Sequence, residues 1–180
     1  MAGRKKAPAR KKAASRKKTA RKAGARKKST GPPKLSPLLR SAFEVLEHGL
    51  WHFFRSTTTA DMKFAILHVD QAVELILKER VRSGGHSIYK NPKETISIWG
   101  AYEILENKLN CTVAEKPDLE LLHEERNNIQ HKYANPSSED AAFHIDRAVS
   151  FLDRFVRAEL KIELGDYIPS EFLDRVLKSE

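Results

Sequence analysis

Beyond Lys34, apolar residues recur every three or four positions over most of the chain, a spacing that marks helices rather than strands. Ser36-Pro37 supplies an N-cap and a first-turn proline for a helix running to about Phe54, with Leu39, Phe43, Leu46, Leu50 and Phe53 as its apolar set. Thr59 caps a second helix to about Val81, stopped by Gly84-Gly85. This one is apolar around most of its circumference and leaves Lys63, Asp70, Glu74 and Lys78 as a wet strip, as expected for the central helix of a bundle. Asn91-Pro92 with Glu94 starts a third helix through Leu109, which carries Ile96, Trp99, Ile104 and Leu105. Pro117-Asp118 opens a fourth and Asn135-Pro136 closes it. Ser137 or Ser138 caps a fifth, in which Ala141, Ile145, Ala148, Leu152, Phe155 and Ile162 form a heptad seam with one polar break at Glu159. A short last helix begins near Ser170. No stretch alternates with period two for long enough to read as a strand. The expected fold is all-α: an antiparallel bundle of about five helices plus the short C-terminal one, over residues 35–180.

Charge divides the chain in two. Residues 1–34 hold 15 of the 33 basic residues and no acid, while the remainder holds 18 basic and 24 acidic residues, so a +15 tail precedes a domain of net −6. The tail repeats a basic cluster at intervals of six, six, five and five residues: Arg4, Lys5 and Lys6; Arg10, Lys11 and Lys12; Arg16, Lys17 and Lys18; Arg21 and Lys22; Arg26, Lys27 and Lys28. With no apolar residue larger than alanine after Met1, it cannot bury a core and is expected to be disordered alone. Such a segment binds phosphate backbones by counterion release without reading sequence. In composition it resembles the lysine- and alanine-rich tails of linker histones and bacterial nucleoid proteins. Gly31-Pro32-Pro33 ends it as a stiff linker.

The single cysteine, Cys111, excludes an intramolecular disulfide and suits a reducing compartment. No apolar run approaches the roughly 20 residues that span a bilayer, and the basic N-terminus lacks the apolar centre of a signal peptide. A cytoplasmic protein with no membrane partner is expected, nucleoid-associated if the tail engages DNA.

The one constellation that composition alone would not produce lies in His123 to Pro136. Leu119, Leu122, Ile129 and Tyr133 mark an apolar stripe, and Arg126 falls in its middle. A buried guanidinium must find an anion, Glu125 or Glu124 in the plainest case, or face an opening. Asn127 and His131 are four apart and share the neighbouring face. An arginine for charge and a histidine for protons suit phosphate chemistry.

Arg126-Asn127-Asn-Ile-Gln-His131 resembles the signature of the HEPN superfamily (higher eukaryotes and prokaryotes nucleotide-binding), an Arg followed by a polar residue with His four to six positions beyond. The long preceding helix, with Ala65 to Lys78 of the Ala-Ile-Leu-x-x-x-Gln-Ala-Val-Glu-Leu-x-x-Lys kind, strengthens the likeness, which covers about residues 36–162. The resemblance implies a dimerising helical bundle and, as in many members, RNA cleavage without a metal, by attack of a ribose 2′-hydroxyl on the adjacent phosphate. His131 would move a proton, Arg126 would hold the phosphate charge, and Asn127 would orient either. His131-Lys-Tyr133 also resembles the extended motif of toxin members whose tyrosine is adenylylated by a nucleotidyltransferase antitoxin. Tyr133 is therefore the candidate modification site, and such an antitoxin is a candidate partner besides RNA and a second copy of the chain. On an ideal helix Arg126 and His131 lie about 140° and roughly 7.5 Å apart, so either the helix end distorts or two chains build the site.

Neither cofactor nor metal is called for. His123 and His131 are about 12 Å apart along a helix, too far to share an ion. His48 and His52 are correctly spaced to pair, but no third ligand accompanies them in sequence. Ser83-Gly84-Gly85 is a helix stop rather than a phosphate loop, and Trp51 and Trp99 are expected in the core. The expected function is a HEPN-type endoribonuclease, a toxin or defence effector, whose tail binds nucleic acid. The alternatives are a non-catalytic nucleotide-, nucleic-acid- or protein-binding module of the same fold, and a nucleoid-associated structural protein acting through the tail.

Overall fold

In the computed structural model, which describes Gly3 and residues 34–177, six α-helices occur among the described residues. They are α1 (Pro37–Phe54), α2 (Thr59–Ser83), α3 (Ile98–Leu109), α4 (Lys116–Lys132), α5 (Ser138–Phe155) and α6 (Ser170–Leu177). A two-stranded antiparallel hairpin, β1 (Tyr89–Asn91) with β2 (Glu94–Thr95), precedes α3. The basic clusters from Arg4 to Lys28, and the expectation of disorder for them, lie outside the described residues. No helix among those described is long and apolar enough to cross a membrane.

The 25-residue α2 is central and touches α1, α3, α4 and α5. Its Ala65, Ile66, Val69, Val73, Ile76 and Leu77 have no exposed surface. Each such large aliphatic chain contributes about 1.5–3 kcal/mol by burial. Leu39, Phe43, Leu46 and Leu50 of α1 and Ala141, Ile145, Ala148, Leu152 and Phe155 of α5 fill the other sides, as their spacing predicts. The seam stops there: a π-helical turn (Val156–Leu160) follows α5, Ile162 is only partly buried, and Glu159 accepts from Arg80 Nε at 2.8 Å.

Caps set the helix starts. Ser36 Oγ accepts from Leu39 N–H, and Ser137 forms a capping box with Asp140. At α2 the cap is Thr58 rather than Thr59, because Asp61 lies three residues on and closes the box reciprocally. Asn91-Pro92 does not start α3. Asn91 Oδ1 accepts from the N–H groups of Lys93 and Glu94, which closes the hairpin turn instead. Ser97 is the true cap, and this moves the buried face to Ile98, Ala101, Tyr102 and Leu105. Trp99 is consequently half exposed, as is Trp51, so neither is a core residue. The wet strip of α2 is also corrected. Asp70 is 1% and Lys78 6% exposed, since α3 and α4 pack on α2, His123 meets Asp70 and Thr95 of the hairpin meets Lys78.

Candidate functional site

Leu119, Leu122 and Ile129 anchor α4 between α2 and α5. Arg126 lies one turn from Leu122 and from Ile129, so it points partly inward, as the stripe requires. The anion it meets is neither Glu124 nor Glu125. Asp70 of α2 lies with Oδ2 3.6 Å from Arg126 Nε. The same carboxylate takes His123 Nδ1 at 3.1 Å and 3.2 Å to its two oxygens. One buried carboxylate thus serves two cationic groups spaced three residues apart on α4. The hydrogen bond to Asp70, foremost, holds His123 above its ordinary pKa despite burial. The ring of Trp99 meets that of His123 edge-on at 6.0 Å.

Arg126 Nη1 donates to Asn127 Oδ1 at 2.8 Å, and the pair forms a ridge between two grooves. On one side a groove of about 490 Å³ runs past Asp70, Gln71, Glu74, Lys78 and Arg126. On the other, a groove of about 530 Å³ is lined by Trp99, His123, Glu124 and Asn127 among others. Lys78 Nζ bonds Glu74 Oε1 and, at 2.8 Å, Thr95 Oγ1. The first groove therefore carries two acids and two bases and has no surplus positive charge. Arg126 keeps its side chain 30% exposed, and its Nη2 donates no hydrogen bond among the described residues.

His131 is elsewhere. The backbone stays regularly α-helical through Lys132, so nothing bends His131 toward Arg126. Its imidazole is exposed, lines neither groove and has no hydrogen-bond partner among the described residues. Tyr133 leaves the apolar stripe as well. It is the left-handed C-cap (φ 57°, ψ 29°), its N–H donates to Asn128 C=O, and its side chain is 87% exposed. The structure thus brings Arg126 and Asn127 together and leaves His131 apart. It adds Asp70 and His123, whose sequence signal was an acid on the polar strip of a long central helix and a His one turn before the motif arginine.

A second cluster lies on α1 and α2. His48, His52 and His68 each offer a ring nitrogen, and these lie within 4.8 Å of one another. The third imidazole beside the His48–His52 pair is thus His68, sixteen residues beyond His52 in sequence and adjacent in space. Burial, then the neighbouring His48 and His52, hold the His68 pKa below its ordinary value. His52 Nδ1 lies 3.1 Å from Asp61 Oδ1. The Thr58 hydroxyl, foremost, with the Thr57 N–H and His52, holds Asp61 down to about 2.

No protein-family model, curated protein or solved structure matches the chain.

Proposed function

We propose that the protein is an endoribonuclease of the HEPN kind, acting as a homodimer, with a basic tail that raises the local concentration of nucleic acid. The observation that carries this reading is the exposed His131, on the same regular helix as a partly exposed Arg126, with neither His131 nor Arg126 Nη2 hydrogen-bonded among the described residues. One straight helix does not aim both at a single phosphate, so two chains complete the site, Arg126 from one and His131 from the other.

In the reaction, the 2′-oxygen bonds to phosphorus as the bond to the 5′-oxygen breaks. His131 accepts the 2′-hydroxyl proton, and the leaving 5′-oxygen takes one from solvent. Arg126 Nη2 meets the charge that builds on the phosphoryl oxygens, and Asn127, tied to Nη1, fixes the guanidinium plane. The groove is charge-balanced, so the +15 tail supplies the attraction for RNA. As a toxin or defence effector the protein would be silenced at Tyr133, whose exposure leaves its hydroxyl accessible to a nucleotidyltransferase.

A second reading is favoured by Asp70. Its ion pair gives Arg126 a structural partner, as a non-catalytic binding module of this fold would have. Mixing variants separates the two. His131→Ala and Arg126→Ala chains are each expected to be inactive on RNA in the presence of chelator, and their mixture to recover part of the activity through one intact composite site. Full activity in His131→Ala, or cleavage by a protein that sediments as a monomer, discards the two-chain site.

A further inference from the structure

His48 and His52 are one turn apart on α1, and His68 faces them from α2. Their ring centroids are 4.7 Å (His48–His52), 4.7 Å (His48–His68) and 5.8 Å (His52–His68) apart. The approach of the two helices at this level depends on Gly49. A Cβ there would meet His68 Cβ and Val69 Cγ2 at 3.1 Å each, and Ala65 C=O at 3.3 Å. His68 Nδ1 is buried and has no hydrogen-bond partner, an unsatisfied polar atom next to two other imidazoles.

Three neighbouring imidazoles that share one carboxylate, Asp61 on His52, and leave the buried His68 Nδ1 unsatisfied are poorly explained as packing. They do match the donor set of a transition-metal centre. Nitrogen ligands around a tetrahedral zinc ion lie about 3.3 Å apart, so atoms within 4.8 Å need to close by only about 1.5 Å, and His48 is the exposed member of the three. The surroundings are those of such a centre. Asp61 holds His52 Nδ1 and leaves Nε2 to face a metal, the carboxylate–histidine arrangement that orients metal-bound imidazoles. Phe64 lies tilted at 5.2 Å from His52 and stacks at 6.2 Å on His68, and Trp51 stacks on His48 at 6.3 Å. Glu44 and Glu47 line a shallow groove with His48 and give a cation an acidic approach.

We infer that His48, His52 and His68 bind a divalent transition-metal ion of the zinc class, with Asp61 as the positioning residue for His52 and a fourth coordination position open to solvent or a ligand. The site clips α1 to α2, and through His68 and Phe64 it borders the groove that Arg126 lines.

Titration calorimetry of the full chain, stripped with chelator and dialysed, tests this with zinc chloride, using magnesium chloride as the hard-ion control. One zinc ion per chain and no magnesium binding are expected. Asp61→Asn is expected to lower zinc affinity by about 10–100-fold, and loss of a direct ligand in His48→Ala or His68→Ala by at least about 100-fold. His86→Ala, on a residue outside the cluster, leaves it unchanged. Cobalt(II) in place of zinc is expected to show the visible absorption of a tetrahedral site, lost in His48→Ala. Exposed His48 makes that variant decisive even if His68→Ala unfolds. Absence of saturable zinc binding, or wild-type affinity in a folded His48→Ala protein, overturns the inference.

Discussion

Asp70→Asn probes the arrangement on which the α2–α4 contact turns. The substitution keeps the shape of the side chain and removes the charge shared by His123 and Arg126. A hydrogen bond to a charged group contributes about 1.5–3 kcal/mol, and breaking a buried pair costs about 3–5 kcal/mol when the stranded charge has no escape. Here both partners have one, because Arg126 is 30% exposed and can turn to water, and His123 can give up its proton. The loss is therefore near the low end, about 2 kcal/mol, and the variant remains folded within the usual total of about 5–15 kcal/mol. It is also pH-dependent, with a definite sign. Asp70 raises the folded-state pKa of His123, so its contribution is fully present below the unfolded value of about 6.5 and disappears as pH rises through the higher folded value. Urea unfolding followed by circular dichroism should thus show a larger gap between wild type and Asp70→Asn at about pH 5.5 than at about pH 9. An equal gap at both would refute the His123–Asp70 coupling, and a loss under about 0.5 kcal/mol would refute a buried ion pair.

Gly49→Ala is expected to destabilise by about 1–3 kcal/mol through overpacking between α1 and α2 and to weaken zinc binding with it, which thermal melts and calorimetry check together. Tyr133→Gly should stabilise the fold by about 1 kcal/mol, because the C-cap of α4 is left-handed and the tyrosine side chain contributes no burial; a lower melting temperature would contradict that. Deleting residues 1–34 should weaken RNA binding strongly and flatten its salt dependence, each lost phosphate contact removing roughly one unit of log–log slope, while cleavage at saturating RNA persists. Equal affinity at low salt with and without the tail would remove the tail from the mechanism.

Much of the architecture was legible because its causes are local. Ser36 and Ser137 cap helices by bonding a backbone N–H three residues on, and the apolar spacing of α1 and α5 needs no partner to be read. The position of Arg126 in an apolar stripe likewise called for an anion or an opening, although not for Asp70 as the anion. Where local rules allowed two outcomes, the sequence misled. The Asn91 side chain can cap a helix or close a turn, and the hairpin chose the turn. A polar strip on a long helix can be wet or be a buried polar seam, and only the packing of α3, α4 and the hairpin over Asp70 and Lys78 decided it. Tertiary structure alone joined Asp70 to His123 across 53 positions and set His68 beside His48 and His52. Helical period reports which face a side chain occupies; it carries no information about which face of another helix will meet it. Those meetings follow from how closely helices approach, at Gly49 among other places, and they determine both polar side-chain clusters described in this protein.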